Sequence, residues 1–349
     1  MIKLTGYLAI AAFMVVSSTA SYSELLVFEG KDGPGKGKHI VLISGDEEYR
    51  SEEVMPMLGK LLSQHHGFKC TVLFSIDPTD GYIDANNQKN LPGLEALNSA
   101  DLMIVATRFR TPSEEQMKPF DAYLNAGKPV IGLRTATHGF RGKWGFFGRQ
   151  ILGEQWAGHH GGHKREGCRG VVDEKNANHP VLNGVEDVFA PSDVYGTRNL
   201  DLKTATVLLK GAVTKTLDPK SPNVEGKKNE PMQSLAWIRD YKSPGGGKGK
   251  AFCTTMGASV DLVSEGSRRL VVNAAIHLTG LEVPKKANVE FVDPYYPSFY
   301  GFWKAKNRED SIWYKRKLKP SDFGLGKAPV AVDPPGTPKW PFREMGPKK

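Results

Sequence analysis

Two periods of hydrophobic and polar residues alternate along this chain. Ile40-Val41-Leu42-Ile43 is a continuous apolar run that ends at Ser44 and Gly45, the pattern of a parallel strand buried on both faces. The period then changes. Val54, Leu58, Leu61 and Leu62 recur at helical spacing, with Ser51 placed to cap the helix and Glu52 and Glu53 in its first turn. The segment between them, Asp46-Glu47-Glu48-Tyr49-Arg50, is thus a strand-to-helix loop. Ligands of open α/β sheets sit just beyond the carboxyl ends of such strands.

The same alternation continues downstream. Apolar runs at 70–74, 102–106, 129–133, 205–209, 234–238 and 251–255 read as strands. Ser113, with Gln116 three residues on, opens a helix that runs to about Asn125 and stops at Gly127. A last helix is expected over 267–279, with Leu270, Val271, Ala274 and Leu278 on one face. Strands alternating with helices predict one α/β domain of roughly 240 residues, with a mostly parallel, doubly wound sheet covered on both faces. No internal repeat is visible.

The ends read differently. Lys3, the apolar run 4–16 and Ser17-Ser18-Thr19-Ala20 form a charged start, a short hydrophobic region and a small-residue cleavage site. Residues 1–20 are therefore expected to be a leader directing export to the periplasm or beyond, and the first thirty residues to lie outside the fold. No other run approaches membrane-spanning length, so no further membrane association is expected. Residues 283–349 form an extension rich in proline and glycine. From Trp303 to Lys349 it carries twelve Lys or Arg against five Asp or Glu, most of the chain's net +9. The body is close to neutral, which argues against nucleic acid as a partner. The extension is expected to wrap over the domain or stay partly disordered, rather than form a core of its own.

Candidate chemistry collects at strand ends. Arg108 and Arg110 follow the third expected strand. Arg134-Thr135-Ala136-Thr137-His138 follows the fourth, in a strand-turn-helix setting like the elbow that holds a nucleophile in hydrolases and amidotransferases. Arg134 stands where the nucleophile would be. Cys70, Cys168 and Cys253 are expected to be buried free thiols, with one bridge plus a free thiol as the alternative, and all remote from it, so thiol glutaminase chemistry is not expected. His159-His160-Gly161-Gly162-His163-Lys164 brings three imidazoles together, groups suited to proton transfer or metal binding. Their spacing defines no metal site, because the glycines rule out two ligands on one helical face. Asp193 and Tyr195 are further candidates for the same cleft, and no motif specifies a cofactor. Tyr49, Phe109, Trp144 and Trp156 are aromatic faces on which a sugar ring could stack, with core packing the expected role of Trp144 and Trp156.

In this order, the segments at 44–53, 132–138, 159–164, 178–182, 231–237 and 254–259 resemble the ThuA-like (trehalose utilisation) family over residues 38–282. The variant is similar to exported members found in planctomycetes and related bacteria. The resemblance implies a class I glutamine amidotransferase-like, flavodoxin-like three-layer fold without the catalytic cysteine, and a link to disaccharide and keto-sugar metabolism.

Three readings stay open. One is a carbohydrate-active enzyme with Glu47, His138 and His160 as acid–base groups. Its substrate would be held by Asp46, Tyr49, Arg50, Arg108, Arg134, Thr135, His159, His163, Lys164 and Asp193. The second is a non-catalytic sugar-binding module in the same cleft. The third is an interaction protein that uses its basic, Trp-containing extension as the contact surface.

Overall fold

A computed structural model gives the structure of residues 25–340. The leader expected at residues 1–20 lies outside the described residues. Within them, ten strands form one sheet: β1 (Leu26–Phe28), β2 (His39–Gly45), β3 (Lys69–Phe74), β4 (Leu102–Thr107), β5 (Val130–Leu133), β6 (Cys168–Val172), β7 (Phe189–Ala190), β8 (Ala205–Val213), β9 (Gln233–Lys242) and β10 (Lys248–Thr254). Their order is β1-β3-β2-β4-β5-β10-β9-β8-β6-β7. The helices are α1 (Ser51–His66), α2 (Glu114–Asn125), α3 (Glu265–Leu278) and α4 (Ile312–Arg316).

The central block β3-β2-β4-β5-β10 is parallel throughout. The expectation of a mostly parallel sheet holds for that half only. Five pairings, at the β1 edge and from β10 to β7, are antiparallel. The cause is connection length. No α-helix lies between β8 and β10, and β9 joins β10 through the short turn 243–247, whereas a parallel return needs a crossover of a dozen or more residues. Sequence reading also missed β1, β6 and β7. β1 lies within the first thirty residues and pairs with β3, so the fold starts earlier than the leader pattern implied.

Strand alternation sorts β2 between two cores. Ile40 and Leu42 pack with Val54, Leu58, Leu61 and Leu62 of α1 and with Leu270 and Ala274 of α3. Val41 and Ile43 point the other way, among Met117, Phe120 and Leu124 of α2. Both faces of the sheet are thereby closed, and truncating a wholly buried residue such as Leu58 to alanine would cost about 2–5 kcal/mol. Winding reverses at β2, since β3 lies on one side and β4 on the other. The crevice between the carboxyl ends of β2 and β4 is therefore the topological switch point.

Beyond the last core helix, the extension lies along α1. Lys60 Nζ reaches Asp293 Oδ2 at 2.6 Å. Ser298 donates to Glu53 from its backbone N at 2.7 Å and from its hydroxyl at 2.6 Å. Trp313 is buried against Tyr82, and Trp340 packs on Phe299. Among the described residues no helix is long and apolar enough to cross a membrane.

Candidate functional site

The loop after β2 is shaped by its own side chains. Asp46 Oδ1 accepts from the backbone N–H groups of Glu48 at 2.8 Å and Tyr49 at 3.1 Å, and Asp46 N donates to Ser51 Oγ at 2.9 Å. This tight turn forces Arg50 into the left-handed region, φ 60°. Arg50, not the expected Ser51, is then the N-cap of α1, and no side chain caps the helix. Ser51 is occupied inside the turn, where its hydroxyl meets Ser44 Oγ at 2.8 Å. Of the six non-glycine residues with positive φ among the described residues, four lie in the strand-end loops and the histidine loop: Arg50, Phe109, Arg134 and Lys164. Such strain persists only where the surroundings impose it, and it gathers at functional sites.

Arg134 occupies the sharp turn after β5 with φ 46°. It is buried and built into the framework. Nη1 donates to the backbone oxygens of Asp193 at 2.6 Å and Thr255 at 2.8 Å, while Nη2 donates to Asp193 Oδ1 at 3.1 Å and Tyr49 Oη at 3.2 Å. Its guanidinium lies 3.7 Å from the Tyr195 ring centroid. Cys253 is nearer than expected, because it pairs with Gly132, two residues before Arg134. Its thiol is nevertheless buried in apolar surroundings, and burial pushes all three thiols up in pKa.

An antiparallel bridge between His159 and Tyr195 lays the histidine loop along segment 192–195, with His160 N donating to Val194 O at 2.8 Å. Neighbouring side chains on an extended segment face opposite ways. His159 therefore points at the sheet edge, where Nδ1 lies 2.7 Å from Asp193 Oδ2. His160 points away and meets Lys228 O at 2.7 Å. The Gly161-Gly162 turn returns His163 to the first side. There Nδ1 is 3.1 Å from Asp193 Oδ1 and Nε2 is 3.5 Å from Glu48 Oε1. Burial opposes ionisation of Asp193, but Arg134 and the two histidines hold its carboxyl well below the usual range.

These groups border a cavity of about 440 Å³ at the switch point. Its polar wall is Glu48, Arg108, His138, His159, His163 and Lys164, and its apolar wall is Trp156, Tyr195 and Phe302. His138 sits among the rings of Phe109, Trp156 and Tyr195, and burial, reinforced by Arg108 and Arg134, lowers its pKa to about 3. Burial and the neighbouring Asp46 raise Glu48 to about 8. A second concavity, of about 280 Å³ beside α3, is lined by no histidine and by none of the loops after β2, β4 and β5.

Several expected site residues do not line this cavity. Glu47 turns under it, paired with Arg108 Nη1 at 2.5 Å and with the wholly buried Arg110. Asp46 takes the Thr135 hydroxyl and shapes the turn. Arg50 faces the extension, donating to Gly301 O at 2.7 Å and lying 5.0 Å from the Trp313 ring. Tyr49 is buried against Tyr300, ring centroids 5.1 Å apart. Trp144 is a core residue, as expected, but Trp156 is 38% exposed and faces the cavity. Sequence reading passed over Glu48 in favour of Glu47, because side-chain parity within an irregular turn is set by the Asp46 hydrogen bonds and not by period. Phe302 was missed because the extension's path is invisible from local pattern.

The fold and the site define a mixed α/β protein with a histidine- and carboxylate-bearing cleft at the carboxyl edge of its parallel strands. The sequence model of the family described as ThuA, trehalose utilisation, matches residues 40–278, and the chain belongs to that family. No curated protein matches. Among solved structures, the chain is similar to a ThuA-like protein from Parabacteroides merdae, with TM-score 0.48 and 14% identity over 79% of this chain and 99% of that one. It is also similar to the mmIFT52 N-terminal domain, with TM-score 0.36 and 12% identity over 69% and 97%. A third likeness, to the exo-β-1,4-mannosidase Op5Man5 of an Opitutaceae bacterium, has TM-score 0.29 and 11% identity over 68% and 35%.

Proposed function

We propose that this ThuA-family chain serves carbohydrate utilisation by binding a sugar, a glucose disaccharide being the first ligand to test, in the cavity at the carboxyl edge of the parallel strands. One observation carries the reading: the cavity sets aromatic faces opposite hydrogen-bonding charges. Trp156, Tyr195 and Phe302 offer apolar surface for a pyranose face, while Glu48, Arg108 and Lys164 offer donors and acceptors for its hydroxyls. The volume, about 440 Å³, is that of a small-molecule site. His138, uncharged near neutrality, serves as an acceptor or a donor without the cost of a buried cation.

Acid–base work in such a site falls to Glu48 and the cavity-facing imidazoles, not to Glu47 or His160, whose side chains are committed elsewhere. The class I glutamine amidotransferase-like reading belongs with this proposal. It is supported by the strained turn after β5, where Arg134 stands in place of a nucleophile. Export is part of it too, on the leader-like pattern of residues 1–20. Mass determination of the N-terminus after expression with that segment intact tests the export part, with a start at Ser21 expected.

Calorimetric titration with trehalose and other glucose disaccharides tests binding. Saturable heat that Trp156→Ala and Glu48→Gln each reduce supports the proposal. Product formation in the same mixtures distinguishes an enzyme from a binding module. Heat unaffected by both variants would place the ligand elsewhere.

A further inference from the structure

We propose that His159, His163 and Asp193 bind one divalent transition-metal ion at the wall of the cavity, through both Nδ1 atoms and a carboxylate oxygen. The donor set, two imidazoles and one carboxylate, suits ions of the zinc, cobalt and manganese group. One ligand atom from each of the three residues lies within 4.8 Å of the other two. Each Nδ1 is already 2.7 or 3.1 Å from an Asp193 oxygen. Ligands bound at ordinary metal–nitrogen and metal–oxygen lengths lie about 3 Å apart along an adjacent edge of the coordination shell. A small widening of the His159–Asp193 contact therefore admits an ion in place of the shared proton.

Neighbouring groups favour this arrangement over a hydrogen-bonded cluster alone. Among the described residues, Oδ1 of Asp193 takes both Arg134 and His163, whereas Oδ2 takes only His159 and keeps a lone pair. Arg134 also holds the Asp193 backbone oxygen at 2.6 Å, fixing the carboxylate from behind. With Nδ1 of His163 on the ion, its Nε2–H faces Glu48 Oε1 at 3.5 Å. A carboxylate behind a metal-bound histidine is the usual means of setting its tautomer and orientation. The side chains of His159 and His163 are 33% and 30% exposed, on the cavity side. The remaining coordination positions open there, where two adjacent oxygens of a diol or hydroxy-ketone would complete the shell.

The test needs no sugar, so it stands apart from the sugar-binding proposal. Zn²⁺ or Co²⁺ is titrated into chelator-treated full-length protein by calorimetry, with the visible Co²⁺ spectrum recorded in parallel. One ion per chain is expected. His159→Gln and His163→Gln should each weaken binding by at least about tenfold, while His160→Gln and His65→Gln leave it unchanged. In the wild type, bound Co²⁺ should broaden the ring signals of His159 and His163 and spare those of His65 and His179, a readout independent of how the variants fold. Absence of saturable binding would overturn the site, as would binding that survives the His159→Gln/His163→Gln double variant.

Discussion

Arg134 and Asp193 form an ion pair with both side chains out of solvent, Nη2 to Oδ1 at 3.1 Å, and the same carboxylate holds His159 and His163. The strained turn after β5 is thereby tied to the histidine loop across the sheet edge. Removing one partner of a buried pair leaves the other uncompensated, at about 3–5 kcal/mol. Arg134→Met should lower stability by that amount in urea unfolding, and Arg134→Lys by less. A loss under about 1 kcal/mol, the level of an exposed pair, would show that the pair does not organise the site.

Glu47 and Glu48 are adjacent in sequence and opposite in role. Glu47 faces Arg108 and the wholly buried Arg110, so Glu47→Gln should cost about 3 kcal/mol of stability. Glu48 lines the cavity, and among the described residues its side chain has only ion-pair contacts at 3.5 Å, to Arg108 and His163. Glu48→Gln should leave the unfolding midpoint near the wild-type value and weaken sugar binding. The reverse pattern, with stability lost at Glu48 and affinity at Glu47, would contradict the placement.

That exchange of roles marks where sequence reading stops. The parallel core was legible, because β2, β4 and β5 are unbroken apolar runs and each face of α1 and α2 has helical period. In the antiparallel half β8, β9 and β10 were legible as strands but their direction was not, and β6 and β7 escaped notice because β6 is mixed in polarity, β7 has two residues, and their pairing depends on long-range register. At the site, the strand-end loops could be located but not oriented. His160 was preferred to its neighbours although the bridge to Tyr195 turns it outward. Asp193 and Tyr195 could be named, but only the strand pairing brings them beside the histidines.

The docked extension should respond to pH through Glu53. Burial and the neighbouring Glu52 raise Glu53 to about 7, opposed by Ser298 and Arg50. Tyr295 packs nearby and is held neutral, while Lys60 is paired with Asp293. Between pH 4.5, the ordinary value for Glu, and pH 7, the folded protein keeps a proton the unfolded chain has lost. Stability from this group therefore falls as pH rises through that window. Wild-type stability relative to Glu53→Gln should decline from pH 5 to pH 8 in urea titrations; a flat or rising difference would contradict the assignment.

The three thiols should be inert in the native protein. Cys70, Cys168 and Cys253 are buried and free, and burial pushes each above the usual thiol range. Iodoacetamide at pH 7.5 should label none of them until denaturant is added, and then all three, as read by intact mass. It should also leave ligand binding unchanged. Rapid native labelling with loss of binding would reopen a thiol mechanism.

On the proposed function, the sugar sits among the cavity-facing imidazoles. The most direct measurement is a titration of the protein with trehalose followed through its nine histidine ring signals by ¹H–¹⁵N correlation NMR. Saturable shifts at His138, His159 and His163 are predicted, with His160, turned to Lys228 O, and His65, in the last turn of α1, unmoved. Shifts confined to His160 or His65, or no shift at the three cavity histidines while calorimetry records binding, would place the sugar outside this cavity.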